Sequence, residues 1–236
     1  LSNKLALKVG RLDGAIYYKT TPENLFNLIY QRRGFKIKFV KNIPSVVSNY
    51  LKHPLNFYLN RSNRVLLKKS DVLVYQSHFS KKMQDKFVSK SQKPSEIILN
   101  GIPREIFYPL SNSAINENSL NLVITASFRL HKRLQDAIDL TNNLSKKRQN
   151  VLLHVIGEMD NLTKDLIEKK NTSNCVFYGR VETNTLPMLY KDFDIGLSPS
   201  LFDPCPNSVV EMMGCGLPVI STTQSGAAEL IDCHDL

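Results

Sequence analysis

The chain has 236 residues, of which 42% are hydrophobic and 22% charged, and a formal net charge of +10. This composition is ordinary for a soluble globular protein, and no run of about 18 apolar residues is present, so we do not expect a membrane-spanning helix. The four cysteines show neither Cys-x-x-Cys spacing nor the density of a disulfide scaffold, so we expect reduced thiols in the cytosol.

Charge is unevenly distributed along the chain, with a net +14 for residues 1–110 and −4 for the remainder. The basic half faces either solvent or an anionic partner, namely a membrane surface, a phosphorylated lipid carrier or nucleic acid. The chain starts at Leu1 rather than Met and stops at Leu236, just after a helix begins, so we expect a fragment cut at both ends. No N-terminal apolar segment with a small-residue cleavage site is present, so export is not indicated unless a segment upstream of Leu1 carries such a signal. We therefore expect a cytoplasmic location, including peripheral contact at the cytoplasmic face of a membrane.

Short runs rich in Val, Ile and Leu alternate with amphipathic stretches, a pattern typical of strands buried on both faces and linked by crossover helices. The predicted strands are 5–9, 72–75, 97–99, 122–126, 152–156, 175–178, 195–198 and 218–221. Helical spacing of apolar residues predicts helices over 133–144, 162–170 and 207–213. The order predicts an α/β fold with doubly wound parallel sheets.

A polar stretch without periodicity, residues 111–119, separates two such series of strands and helices. We therefore predict a partial N-terminal domain over 1–110, a linker over 111–119 and a C-terminal domain over 120–236. Four interruptions by Pro or Gly leave residues 17–60 without a clear assignment.

The segment that follows the strand 195–198 carries the strongest chemical signal. A loop with prolines leads to Asn207, a favourable N-cap for a helix that ends at glycines. The start of this helix lies at the carboxyl edge of the sheet, where open parallel sheets bind ligands. The free N–H groups of Asn207, Ser208 and Val209 favour an anion such as a diphosphate.

Two acids, Asp203 and Glu211, flank this anion site and offer acceptors for the vicinal hydroxyls of a sugar or a ribose, although Glu211 can also be read as a solvated helix acid. The segment resembles the Glu-x7-Glu signature of retaining glycosyltransferase family 4, which has the GT-B fold of two Rossmann-like domains. The resemblance implies that Glu211 holds the donor ribose and that Asp203 contacts the transferred sugar. Asp in place of the first Glu shortens the reach by one methylene.

Further segments resemble the same family in the same order over roughly residues 70–231. They are Val74-Tyr75-Gln76-Ser77 with Phe79-Ser80-Lys81, then Leu99-Asn100-Gly101-Ile102 with Phe107-Tyr108-Pro109, and then Ala126 to Leu134. Their shared order identifies the chain as similar to that family, with both GT-B domains incomplete.

Two cations, Arg129 and Lys132, follow a buried strand, and the resemblance assigns them to a diphosphate leaving group that gains charge as the glycosidic bond breaks. Their spacing is shorter than is usual in the family, so Arg133 is an alternative. A basic helix start without function is the other interpretation.

Two other positions are weaker candidates. Arg180 and Val181 follow a strand that ends at Gly179 and are candidates for contact with the nucleotide base, although a tight turn alone explains the glycine. Asp13 lies in an Arg-x-Asp-Gly element that resembles one near the acceptor cleft and is a catalytic candidate, whereas a simple Asp-Gly turn is the alternative.

The resulting prediction is transfer of a hexose from a nucleoside diphosphate sugar to a hydroxyl of a glycan, lipid-linked or protein acceptor, with retention and without a metal or cofactor. The Asp192-Phe193-Asp194 pattern precedes a strand instead of ending one, which argues against a metal role. His154 is expected to pack in the core. Motifs of hydrolases, kinases and nucleic-acid-binding proteins are absent. A non-catalytic sugar-nucleotide or glycan-binding remnant is the alternative.

Overall fold

A computed structural model of the chain describes residues 9–12, 60–110, 119–147 and 150–232. The chain divides into two compact units, residues 1–98 and 99–236. The candidate Asp13 and the predicted linker, apart from residue 119, lie outside the described residues. Each unit contains a parallel sheet, which confirms the predicted α/β class.

The described part of the first unit is a three-stranded parallel sheet in the order β1-β2-β3. Its elements are β1 (Val9–Leu12), α1 (Arg61–Lys69), β2 (Val72–Tyr75), α2 (His78–Phe87) and β3 (Ser95–Ile97). The side chain of Ser77 caps α2 by accepting from the N–H of Ser80 at 2.9 Å.

Strand β3 begins and ends two residues before the predicted strand 97–99. Ile98 and Leu99, which made the apolar run look like a strand, are exposed by 58% and 38%. Apolar residues at these positions therefore do not mark burial in the sheet, and the prediction of this strand is displaced.

The second unit contains a five-stranded parallel sheet in the order β6-β5-β4-β7-β8. Its strands are β4 (Leu120–Thr125), β5 (Val151–Ile156), β6 (Cys175–Gly179), β7 (Ile195–Ser198) and β8 (Val219–Ser221). From β4 the chain adds β5 and β6 on one side, and it then crosses back to add β7 and β8 on the other side. The strand order therefore reverses between β4 and β7, which is where open α/β sheets form a ligand crevice at their carboxyl edge.

Helices cover both faces of this sheet, as the doubly wound prediction required. They are α3 (Leu134–Ser145), α4 (Asn161–Ile167), α5 (Leu186–Tyr190), α6 (Asn207–Gly214) and α7 (Ala227–Asp232), and two 3-10 turns span Leu130–Lys132 and Thr183–Thr185.

Alternation along β4 divides the core into two clusters. Leu122 and Ile124 pack with α3 and α4, whereas Val123 packs with α5, α6 and α7. Burial of each large apolar side chain contributes about 1.5–3 kcal/mol, so the two clusters fix the positions of the helices.

The segment 99–110, assigned to the first domain by the sequence, packs on the second unit. Phe107 is 3% exposed and joins the same cluster as Val209 and Met212 of α6. A Cβ atom at Gly214 would lie 2.2 Å from Cδ1 of Ile102, so a larger residue at this position would require the Ile102 side chain to move. The start of the segment is thereby brought to the start of α6.

Candidate functional site

The strand order reverses between β4 and β7, at what we call the switch point. An ion pair joins the loops that follow these two strands. Lys132 follows β4, Asp203 follows β7, and the ammonium of Lys132 donates to Oδ2 of Asp203. Their side chains are only 18% and 12% exposed, so the pair lies below the surface of the carboxyl edge. A cation and a carboxylate predicted to contact the same ligand are thus in direct contact.

Backbone hydrogen bonds hold the loop 199–206 from two neighbouring loops. The N–H of Leu201 donates to the carbonyl of His131 at 2.8 Å, and the N–H of Phe202 donates to the carbonyl of Gln224 at 2.7 Å. The carbonyl of Asp203 accepts from the N–H of Gly226, also at 2.8 Å. The Asp203 side chain is therefore presented by a fixed backbone.

Helix α6 begins without a side-chain cap. Pro206 occupies the cap position with φ −69° and ψ 117°, whereas the sequence predicted Asn207 as the N-cap. That prediction is wrong because the Asn207 side chain is engaged elsewhere: its Oδ1 accepts from Nδ2 of Asn100 at 2.6 Å.

The three backbone amides predicted to bind an anion differ in their availability. The N–H of Val209 donates to the carbonyl of Pro206 at 3.1 Å, and its side chain is fully buried. The N–H groups of Asn207 and Ser208 donate to no acceptor within the described ranges. Two amides instead of three are therefore open at the start of α6.

Glu211 lies one turn further along α6 and is half-buried. Its carboxylate makes no hydrogen bond or ion pair with another described residue, and burial raises its pKa above the ordinary value. Two hydroxyls nearby, those of Thr125 and Tyr190, are buried close to each other without hydrogen-bonding geometry. Burial raises the pKa of Tyr190, the neighbouring Thr125 hydroxyl lowers it by a smaller amount, and the charge of Glu211 raises it. The carboxylate thus retains its capacity to accept hydrogen bonds.

The other predicted cations occupy different surroundings. Arg129 is exposed at the start of the 3-10 turn and makes no ion pair in the described part of the chain. Arg133, the alternative to it, has a left-handed backbone (φ 52°) and pairs with Asp136 of α3. Arg129 is therefore the more available guanidinium.

Arg180 and Val181 follow β6, the edge strand, and are not adjacent to the switch point. Arg180 is exposed, whereas Val181 packs against the core. Gly179 has φ 66°, a conformation that favours glycine, and a Cβ atom there would meet nothing within 4 Å. At Gly157, also a strand end, a Cβ atom would lie 1.8 Å from the carbonyl oxygen of Ala126, so close approach of β4 explains this glycine.

The Asp-x-Asp pattern lies at the opposite edge of the sheet. Oδ2 of Asp194 accepts from the backbone N–H of Asn121 at 2.7 Å, so it fixes the start of β4. No group of three or more His, Cys, Asp or Glu side chains in the described ranges is arranged to hold a metal ion. No described helix has the length and apolar character needed to cross a bilayer.

Four residues near the carboxyl edge were not assigned a role from the sequence. Asn100 and Gln224 hydrogen-bond to the loop 199–206. Thr125 and Tyr190 lie close to each other, and Tyr190 also lies near Glu211. No local sequence pattern identifies them as site residues. They are residue types that are common in strands, helices and loops, and only the tertiary fold brings them near α6.

Comparison with known proteins places this geometry in a family. The family model described as glycosyl transferases group 1 matches residues 110–235. An uncharacterized glycosyltransferase of Methanocaldococcus jannaschii is 24% identical over 210 residues, which cover 85% of this chain and 51% of the relative. The chain thus spans about half the length of that relative.

Solved structures show the same fold at low sequence identity. WaaG, a glycosyltransferase involved in lipopolysaccharide biosynthesis, superposes with a TM-score of 0.61 at 19% identity, covering 97% of this chain and 60% of WaaG. The pneumococcal O-GlcNAc transferase GtfA, solved with UDP and GlcNAc, gives a TM-score of 0.52 at 17% identity, covering 70% of this chain and 32% of GtfA. These likenesses confirm the predicted GT-B fold.

Proposed function

The chain belongs to the glycosyl transferases group 1 family, and on that premise we propose that it transfers a hexose from a nucleoside diphosphate sugar to a hydroxyl acceptor with retention. The finer assignment, membership of family 4, rests on the Asp203-x7-Glu211 segment. The acceptor is a glycan, a lipid-linked saccharide or a protein hydroxyl.

The observation that carries the proposal is the Lys132–Asp203 pair at the switch point. The donor has two chemically different halves on either side of one bond: an anionic diphosphate and a sugar rich in hydroxyls. A cation and a carboxylate in contact match that junction, since the ammonium binds the phosphate and the carboxylate accepts from sugar hydroxyls. The two open amides of α6 add donors for the phosphate.

The reaction places negative charge on the departing phosphate. The bond between the anomeric carbon and the β-phosphate oxygen breaks with its electron pair on the phosphate. The acceptor oxygen then bonds to the same carbon, and its proton passes to the departing phosphate oxygen. Lys132, Arg129 and the start of α6 stabilise the developing charge, and such stabilisation is the largest single contribution in many enzymes. We propose that these groups replace a divalent metal.

The nucleoside end of the donor is assigned to Glu211, whose carboxylate has unused acceptor capacity. Two adjacent ribose hydroxyls donate to its two oxygens, and each hydrogen bond to a charged group contributes about 1.5–3 kcal/mol. Arg180 and Val181 stay proposals for contact with the base.

We test the donor site with a thermal-shift panel of nucleoside diphosphates and their sugars. A ligand at about 100 times its dissociation constant adds roughly 2.7 kcal/mol to the free energy of unfolding. We expect one nucleotide series to raise Tm, and Glu211→Ala and Arg129→Ala to abolish the rise. The control Lys147→Ala removes an exposed cation distant from the switch point and should retain it. A rise that survives in both site variants contradicts the assignment.

Turnover is measured separately, as release of nucleoside diphosphate from the nucleoside diphosphate sugar that binds. Release that depends on an added acceptor supports the transferase. Binding of the intact donor with no release under any acceptor condition would instead support a non-catalytic binding protein.

The first unit is assigned a peripheral contact with an anionic membrane on the cytoplasmic face. Exposed cations of α1 and α2 carry this proposal, namely Arg61, Lys68, Lys69, Lys82 and Lys86. Each basic residue near an anionic surface contributes about 1 kcal/mol. Sedimentation with phosphatidylserine vesicles checks it, and equal sedimentation with neutral vesicles would contradict it.

A further inference from the structure

A single side chain from the segment 99–110 hydrogen-bonds to residues on both sides of the cap position of α6. Nδ2 of Asn100 donates to the carbonyl of Cys205 at 2.9 Å and to Oδ1 of Asn207 at 2.6 Å. Both acceptors flank Pro206, the residue at the cap position. Asn100 therefore uses both hydrogens of its amide at the junction between the loop and the helix.

The partner of Asn100 is a residue with a strong alternative use. A short carboxamide side chain in the first turn of a helix can accept a hydrogen bond from its own or a neighbouring backbone N–H. Pro206 has no side-chain acceptor of its own, so Asn207 is the only polar side chain beside those amides on the loop from residue 204 to 207. An Asn207 side chain that turned over the helix start would occupy the amides that the phosphate needs.

We propose that Asn100 is a positioning residue of the donor site, which holds the Asn207 side chain away from the start of α6 and so keeps the amides of Asn207 and Ser208 open for the donor diphosphate. This inference rests on the proposed function. Asn100 does not touch the donor itself; it acts by removing a competitor for the same hydrogen bonds.

The position of Asn100 is fixed independently of its amide. Ile102 packs against Gly214 and Phe107 against the core, so the segment keeps its place on α6 when the Asn100 amide is lost. A substitution at Asn100 therefore changes the freedom of Asn207 more than it changes the packing of the segment.

The test compares three variants that remove the same hydrogen bond in different ways. Asn100→Ala releases the Asn207 side chain, Asn207→Ala removes it, and the double variant does both. Dissociation constants are measured by calorimetry for UDP and inorganic pyrophosphate, with the best nucleotide of the thermal-shift panel replacing UDP if the panel selects another.

We expect Asn100→Ala to weaken both ligands about tenfold, equivalent to 1.4 kcal/mol. Asn207→Ala should bind within twofold of the wild type, because its backbone amide is intact and no competing side chain remains. The double variant should likewise return to within twofold. The ordinary structural role of a lost hydrogen bond would weaken the double variant at least as much as Asn100→Ala.

The outcomes separate this inference from the proposed function. Absence of nucleotide binding by the wild type overturns both. Wild-type binding with an unchanged Asn100→Ala variant, or with a double variant as weak as Asn100→Ala, overturns the positioning role alone. If Asn100→Ala does not fold, tenfold weaker binding by Asn207→Ala would overturn it, since that variant keeps the amides uncovered.

Discussion

Two polar clusters lie at opposite ends of one face of β4, and they are satisfied to different degrees. The first, which we call the cross-strand network, consists of Asn121, His154, Tyr178 and Asp194. The second, the carboxyl-edge cluster, consists of Thr125, Tyr190 and Glu211. Asn121 and Thr125 share a face because alternate residues of a strand point the same way.

The cross-strand network pairs its polar atoms internally. Nδ1 of His154 lies 2.9 Å from the Tyr178 hydroxyl and Nε2 lies 3.3 Å from Oδ1 of Asn121. The imidazole also packs on Phe193, with ring centroids 4.5 Å apart. Burial lowers the pKa of His154, which favours the neutral ring that can both donate and accept.

The carboxyl-edge cluster leaves its polar atoms unused. Hydroxyls of Thr125 and Tyr190 have no hydrogen-bond partner in the described part of the chain, and the Glu211 carboxylate has none either. A buried polar group without a partner costs about 1–3 kcal/mol. Polar groups are therefore hydrogen-bonded at one end of this face of β4 and not at the other, where the proposed donor site uses the Glu211 carboxylate.

The largest effect is expected from a substitution that disrupts the cross-strand network. His154→Ala removes the ring from Phe193 and leaves the Tyr178 hydroxyl and the Asn121 amide unpaired, so the free energy of unfolding should fall by about 2–3 kcal/mol. Urea denaturation measures this change. The UDP affinity of the variant, measured under conditions in which it is fully folded, should stay within twofold of the wild-type value. A variant with native stability and weak UDP binding would place the network in the donor site instead.

Removal of the Lys132 ammonium tests the proposed donor site at the carboxyl edge of the sheet. Lys132→Ala should weaken UDP binding between about 10- and 100-fold, because the variant loses a charge-assisted hydrogen bond to the diphosphate. Calorimetry gives the dissociation constants, and Lys147→Ala provides the matched loss of an exposed cation. Equal affinities for the two lysine variants would remove Lys132 from the site.

Glu211→Gln separates the nucleoside from the phosphates. We expect UDP affinity to fall about tenfold, whereas the affinity for inorganic pyrophosphate, which has no ribose, should not change. Parallel titrations with the two ligands check this. Equal losses for both would show that Glu211 acts on the phosphate side or on the fold.

The same variant has a pH signature. Because the pKa of Glu211 is raised in the folded protein above its ordinary value of 4.5, the folded state favours the protonated acid, and the wild type loses stability as the pH rises through the folded pKa. Glu211→Gln should therefore gain stability relative to the wild type as the pH rises above 4.5. Denaturation at several pH values measures the difference, and a constant difference would contradict the raised pKa.

The smallest effect compares two tyrosines directly. Tyr178→Phe removes a hydroxyl paired with His154 and should cost about 1 kcal/mol, whereas Tyr190→Phe removes an unpaired one and should be neutral or slightly stabilising. Each variant is the control for the other in the same denaturation experiment. Equal costs would show that the Tyr190 hydroxyl is satisfied in solution.

Most of the sheet could be predicted from sequence because strands buried on both faces are continuous apolar runs. The strands 72–75 and 195–198 were predicted with their observed bounds, and the runs at β4, β5, β6 and β8 were located within two residues. The displaced strand, β3, shows the limit: the exposed Ile98 is as apolar as a buried strand residue, and only the tertiary fold distinguishes them.

The site was predictable as far as each residue sits close to a strand end in sequence. Arg129, Lys132 and Asp203 follow strands, so their location at the carboxyl edge follows from the alternating pattern. The engagement of Asn207 was not predictable, because its partner, Asn100, lies 107 residues earlier and meets it only through packing of the segment 99–110. Local capping preference therefore favoured the wrong role for Asn207.

The pairing of Lys132 with Asp203 has a consequence for the order of events in a catalytic cycle. A ligand that supplies only an anion must separate the two side chains and leave the carboxylate beside the phosphate without compensation. An intact sugar nucleotide supplies both an anion and hydroxyl donors, so each side chain exchanges one partner for another. If the proposed transfer takes place, the carboxylate would compete again for the ammonium after the sugar has moved to the acceptor, and reforming the contact would help to release the nucleotide.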